Sequence, residues 1–285
     1  DSLGLIRCAM DRLSCARLDH IRIALAGRIA GNRVALTNGT LVFDAAALAG
    51  ALGGSTIVTL YNDLQAAALG LPWLGADDSL PLGGGPAGPD RTQSLALVSV
   101  GTGLGISCDL PGENGGRSLA TEGGHATLPT TTPEERKIAE AFEKRFGRVS
   151  SERVLSGSGL GILYEVMTGS DSLSPGRIVD GALAGDRDAH EVLTQFCAFL
   201  GGVAGDMALI YGAWGGVFIG GGVAPRFAGF LAASPFRERF EAKGRFREAL
   251  RQTPARLVLR DDLALIGLAS QTAGALDGGA VRPDC

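Results

Sequence analysis

Histidine is scarce in this chain, with three among 285 residues, and the five cysteines (Cys8, Cys15, Cys108, Cys197, Cys285) form no Cys-x-x-Cys pair. That spacing excludes a zinc finger or ribbon, which needs Cys and His grouped at short intervals. An odd, scattered cysteine set with no leader in view reads as free thiols in a reducing compartment, so the expectation is cytoplasmic. Positive charge is also short: 26 Lys and Arg against 30 Asp and Glu leave a net charge of −4. No basic run occurs, which argues against nucleic acid or an anionic membrane surface as partner. No apolar stretch of 18 residues escapes a charge or a glycine cluster, so no transmembrane helix is expected. A Gly-Lys-Ser/Thr phosphate loop is missing, and no repeat of fixed period appears.

What remains is a rather apolar globular chain, 45% hydrophobic with 44 glycines that cluster at the ends of apolar runs. This is the pattern of an α/β protein with many tight strand-to-helix turns. Helical spacing covers 3–18, 43–52, 64–69, 133–147, 175 onward, 186–211 and 264–276. Strands are expected at 21–26, 33–36, 55–61, 94–100, 106–110, 215–219 and 256–260. Thr132-Pro133-Glu134-Glu135 is a strong helix start. The Gly/Pro/Asp-rich segment 73–91 reads as a surface loop near a domain boundary, and the charged segment Glu238 to Arg251 as a solvated helix face.

Three strands end in reactive or glycine-rich residues: Asn62-Asp63, Gly101-Thr102-Gly103-Leu104-Gly105, and Gly220-Gly221-Gly222. In α/β sheets ligands collect at the carboxyl ends of strands, so the three ends could face one cleft. Each alone is weak: an acid after a strand often caps the next helix, and a glycine turn can serve a simple hairpin. Thr121-Glu122-Gly123-Gly124-His125 places a carboxylate and an imidazole three residues apart. On residue type it serves as a metal site, an acid/base pair or a grip on a polar ligand. The absence of further Cys or His nearby weighs against metal, and no metal ligands are assigned.

Taken together the blocks are specific. Asn62-Asp63-Leu64, Gly101 to Gly105, Glu122-Gly123-Gly124-His125, Ser151-Glu152-Arg153-Val154-Leu155-Ser156-Gly157, Gly216 to Phe227 and Lys243-Gly244-Arg245-Phe246 resemble, in order, the bacterial glucokinase family. The resemblance implies two ribonuclease-H-like α/β domains of the hexokinase/actin-like ATPase architecture with an interdomain cleft. The small domain would take 1–73 with 265–285, and the large one 74–264. It implies ATP-dependent phosphorylation of the glucose 6-hydroxyl with Mg²⁺, and a possible homodimer. By match, Asp63 would be the catalytic base and Asn62, Asp63, Glu122, His125 and Glu152 the sugar ligands. Asn38, in a Thr37-Asn38 pair that also reads as a turn, matches a further sugar contact. Gly101, Thr102, Gly103 and Gly105 would hold phosphate, and Gly221 and Gly222 would lie beside adenosine.

The sequence departs from the family at its front. It opens at Asp1 in a helical pattern and lacks the Asp-x-Gly-Gly-Thr turn of the first phosphate loop, so the small domain is expected to be incomplete. Arg28, Leu41, Ser158 and Gly220 replace a proline, an aromatic residue, a proline and an alanine. The competing expectation is therefore a partial chain or a non-catalytic sugar-binding paralogue, with a kinase for a related hexose as a further alternative.

Overall fold

The computed structural model describes residues 1–273 apart from 16, 28, 37–39, 86–87 and 113–115. The chain runs α1 (Ser2–Arg12), β1 (His20–Leu25), β2 (Ile29–Ala30), β3 (Arg33–Ala35), β4 (Val42–Asp44), α2 (Ala45–Ala51), β5 (Ile57–Asn62) and α3 (Asp63–Gly70). It continues through β6 (Ser79–Pro81), β7 (Leu95–Val100), β8 (Leu104–Leu110), β9 (Arg117–Thr121), α4 (Pro133–Phe146), α5 (Ser151–Val154), α6 (Gly157–Thr168), α7 (Pro175–Ala184) and α8 (Arg187–Tyr211). The last elements are β10 (Gly216–Gly220), α9 (Ala228–Ala233), α10 (Phe236–Glu241), α11 (Arg247–Gln252), β11 (Ala255–Val258) and α12 (Leu263–Ala273).

Strand order in the main sheet is β6-β11-β10-β7-β8-β9. β7, β10 and β11 run parallel, so their carboxyl ends share one edge. Period-two alternation sends their side chains to two different cores. Ala96, Val98 and Val100 join the larger one, with Phe142, Phe196 and Phe199 from the covering helices. Leu95, Leu97, Phe218 and Val258 face a smaller one with Leu71, Leu74 and Leu263. Burial on both faces explains why these strands read as unbroken apolar runs. A third cluster, built from Ile6, Leu25, Val34, Phe43 and Leu48, belongs to the first 60 residues, where β1 and β5 pair in parallel and β2-β3-β4 form a separate sheet.

Two helices join these cores. α12 packs on α3, and the approach is so close that a Cβ at Gly267 would run into the Ala66 carbonyl and one at Gly70 into the Leu263 carbonyl. Only glycine permits that crossing. α12 also reaches the first unit, where the Arg22 guanidinium donates to the Gln271 carbonyl at 3.5 Å.

Local signals explain the helix ends well. Thr132 and Glu135 form a reciprocal capping box with Pro133 at the first position, and α4 stops at left-handed Gly147. The Asp186 side chain caps α8, which is long and apolar enough to cross a membrane by length and composition, yet 72% of that apolar window is buried within the protein. It is the central core helix.

Three expectations change. The 73–91 segment is not simply a loop: β6 pairs antiparallel with β11 and Leu82 is buried. A three-residue edge strand is too short to show alternation, so only its partner reveals it. The first helix ends at Arg12, and Ser14 takes a positive φ of 54°. Glu238 to Arg251 is not one solvated face. Arg239 of α10 pairs with Glu135 of α4 at 2.8 Å, and Lys243, just past α10, with Asp206 at 2.6 Å and the Gly202 carbonyl at 2.8 Å, both on α8.

Candidate active site

At the β5–α3 junction the chain passes from strand to helix in one step. The Asn62 carboxamide oxygen caps α3, accepting from the Leu64 and Gln65 amides at 3.1 and 3.2 Å. Its amide nitrogen donates to the Gly27 carbonyl at 3.3 Å, which ties the junction to the end of β1. Asp63 is the first residue of α3, part-buried, and one of its carboxylate oxygens accepts from the Leu64 amide at 3.0 Å.

A second group gathers on the turn between β7 and β8. The Gly101 amide donates to the Gly103 carbonyl and the Gly157 amide to the Gly101 carbonyl, both at 2.9 Å, so the turn is fixed from within and from α6. Glu152, on the short α5, reaches across, and its carboxylate accepts from the Leu104 amide at 3.1 Å. The other Glu152 oxygen lies 3.7 Å from His125 Nδ1, and His125 Nε2 lies 3.8 Å from Glu122. The imidazole thus sits between two carboxylates. Glu122 is 79% exposed, His125 57% and Glu152 33%, so the rim opens to solvent while its base is braced. The bracing is plain: Gly124 packs on the Leu104 carbonyl, where a Cβ has no room. The Thr121 hydroxyl donates to the Ile106 carbonyl at 2.8 Å and accepts from the Tyr211 hydroxyl at 3.2 Å, and Arg148 holds the His125 carbonyl at 2.9 Å.

The third turn, Gly220 to Gly222, follows β10. Gly221 has a φ of +89° and lies so close to the Val100 backbone that only glycine fits; the Val223 amide donates to the Val100 carbonyl at 3.2 Å. The turns after β7 and β10 are therefore neighbours. A cavity of about 460 Å³ opens beside them, lined by Asp63, Leu64, Ser99, Gly220 to Gly222, residues 258–261, Leu263 and Ala264. Gly101 to Gly105 and the Glu122/His125/Glu152 group do not line it. Leu64 bridges the two areas, since it lines the cavity and its methyl groups lie against Gly105.

So the structure brings Asp63 to Gly221 and Gly222, and Glu122, His125 and Glu152 to the Gly101–Gly103 turn. Thr102 is exposed at the tip of that turn. Asn38 lies outside the described residues. Ser99 and the segment after β11, including Arg260, line the cavity without having been marked as site residues by any local pattern in the sequence. A parallel strand with its carboxyl end on the same edge was the available signal. Among the described residues no group of three or more His, Cys, Asp or Glu is arranged to hold a metal ion.

An α/β architecture whose parallel strand ends carry two glycine turns, with a strand-terminal aspartate at the neighbouring cavity, fits the two-domain sugar kinases of actin-like fold, the class to which its structural relatives belong. Comparison with known proteins is specific to family level. The glucokinase family model matches residues 4–275, and the chain belongs to the glucokinase family. The glucokinase of Nitrobacter hamburgensis is 41% identical over 276 residues, covering 95% of this chain and 85% of that protein. The glucokinase of Chromobacterium violaceum is also 41% identical, with 94% and 78% covered. A glucokinase crystal structure from an Antarctic psychrotroph superposes with a TM-score of 0.85 at 32% identity, covering 94% of this chain and 84% of that one.

Proposed function

We propose that this protein transfers the terminal phosphoryl group of ATP to the 6-hydroxyl of glucose, with Asp63 as general base. The observation that carries the reading is that Asp63 and the Gly220–Gly222 turn line one cavity. A base at the sugar end and a backbone cradle for a nucleotide are thereby held on one wall. Phosphoryl transfer passes through a loose transition state and needs an oriented hydroxyl more than covalent chemistry. Asp63 accepts a hydrogen bond from the attacking hydroxyl and takes its proton as the O–P bond forms.

Glu122, His125 and Glu152 form the sugar grip. Each carboxylate accepts from two hydroxyls, which suits vicinal diols, and His125 donates or accepts. Asn62 has both carboxamide oxygen lone pairs engaged in the cap, so it offers a sugar hydroxyl its remaining amide hydrogen while fixing where Asp63 points. Thr102 and Gly103 present backbone amides and a hydroxyl to phosphate, Gly101 closes the turn through its amide's bond to the Gly103 carbonyl, and Gly105 lets Leu64 close against the turn. Mg²⁺ arrives with the phosphates as part of the substrate. No cluster of described side chains is built to hold it. The lobes are taken as 1–73 with 265–285 and 74–264, the first holding Asp63 and the second the two glycine turns.

The test is a coupled ADP-release assay with glucose. Asp63→Asn should lower kcat about 10²- to 10⁴-fold, the usual worth of a general base, with glucose still bound. Full turnover in that variant would remove Asp63 from the role.

A further inference from the structure

We infer that Arg260 receives the base of the nucleotide, its guanidinium face serving as a stacking platform in the cavity. The inference rests on the nucleotide reading of that cavity. β11 runs parallel to β10, so the residues after it emerge on the same edge as the Gly220–Gly222 turn. Val258, Leu259, Arg260 and Asp261 all line the cavity with that turn and Pro225.

The way Arg260 is held decides what it can bind. Nε donates to Asp262 Oδ1 at 2.8 Å and Nη2 to Asp262 Oδ2 at 2.7 Å, a bidentate fork. Nη1 donates to Asp78 Oδ1 at 3.2 Å. Asp78 is positioned in turn by β6, whose Ser79 hydroxyl and carbonyl accept from the buried Arg256 at 2.7 and 2.8 Å. Two carboxylates thus compensate one guanidinium, and three of its five N–H donors are engaged. With its charge already compensated by two carboxylates, such a group is a weaker anchor for phosphate than an unpaired arginine. Its two flat faces make no hydrogen bonds, the side chain is 39% exposed, and its neighbours on the cavity wall are mostly apolar. A clamped, planar cation among apolar groups suits a flat heteroaromatic ring, because arginine stacks on π-faces while its edge stays bonded. The ligand class is a purine ring carried by the phosphoryl donor. The glycine turn then holds the part of the same molecule that leads to the phosphates, while Asp63 acts on the attacking sugar hydroxyl.

The test separates base from phosphate. ADP binding is measured by calorimetry, and inorganic tripolyphosphate is measured as an inhibitor competitive with ATP. Wild type is compared with Arg260→Ala and Arg260→Lys, each with its melting temperature. Arg260→Ala should weaken ADP about tenfold, the scale of a part-desolvated cation–π contact, and leave tripolyphosphate within about twofold. Arg260→Lys keeps the charge and a salt bridge but has no face, so it should lose ADP affinity equally at near wild-type melting temperature. Equal losses for ADP and tripolyphosphate would make Arg260 a phosphate contact and overturn the inference. Recovery of ADP binding in Arg260→Lys would overturn it too, by reducing Arg260 to a structural charge. If wild type binds neither probe, the nucleotide reading itself fails, and the platform with it.

Discussion

Glu152 is where recognition and architecture can be separated experimentally. Its carboxylate accepts from the Leu104 amide at 3.1 Å on one side and faces His125 at 3.7 Å on the other. A hydrogen bond to an ionised group contributes about 1.5–3 kcal/mol, and the side chain is one-third exposed, so the lower half of that range applies to each bond. Glu152→Ala removes the brace on the Gly101–Gly103 turn and one acceptor for a sugar hydroxyl. At 1.4 kcal/mol per tenfold, the sugar contact alone should raise the KM for glucose roughly tenfold or more. Loss of the brace should cost about 1.5–2 kcal/mol of stability. Glu152→Gln keeps an acceptor for the Leu104 amide but drops the charge. It should retain the melting temperature and raise KM by about three- to tenfold, since a neutral acceptor is roughly half as strong. The assay is coupled ADP release with glucose varied at saturating ATP, paired with thermal melts. If Glu152→Ala lowers the melting temperature while KM stays within twofold, Glu152 is only a brace and the sugar assignment is wrong.

Two further predictions concern stability. Asp109, in β8 opposite Leu95 and Ser118, is 4% exposed, and one of its oxygens has no hydrogen-bond partner among the described residues. Burial pushes its carboxyl up to about 6 from the ordinary 3.8. The fold therefore prefers the protonated form, and the stability this contributes is present below pH 4 and lost as pH rises through about 6. Asp109→Asn should match wild type near pH 4 and exceed it by about 2–3 kcal/mol at pH 8, at 1.36 kcal/mol per unit. Melting curves across that window check this, and a flat difference would show that Asp109 does not titrate there. Gly267→Ala should cost about 1–3 kcal/mol by overpacking the α3–α12 crossing, and kcat should fall with it because α3 begins at Asp63. Gly50→Ala, in α2 with nothing within 4 Å of its added carbon, is the matched control and should be neutral or stabilising. Equal melting temperatures for the two variants would mean the crossing is looser than its contacts indicate.

How much was legible follows from the range of the interactions. The capping box at Thr132 and Glu135, the stop at Gly147 and the Asn62 cap all lie within four residues of the groups they satisfy, so they are written in consecutive letters. The main strands were legible because burial on both faces demands unbroken apolar runs. β6 was not, since three residues carry no period and its partner β11 comes some 175 positions later. Arg239 and Lys243 read as surface charges because nothing nearby announces Glu135 or Asp206, which other helices bring to them.

The same division runs through the candidate site. By itself the sequence determined which residue types were available: an aspartate at a strand end, two glycine turns, and a carboxylate–imidazole motif with a second glutamate downstream. Each is a local pattern whose chemistry is intrinsic to the side chains. Only the tertiary structure decided the grouping. The Glu152 carboxylate reaches the Leu104 amide 48 residues away, Asp63 shares a cavity with Gly221, and Arg260 is clamped by Asp78 across 182 positions. Those meetings depend on the order of parallel strands in one sheet and on two helices crossing at glycine. Distances along the chain carry no information about either.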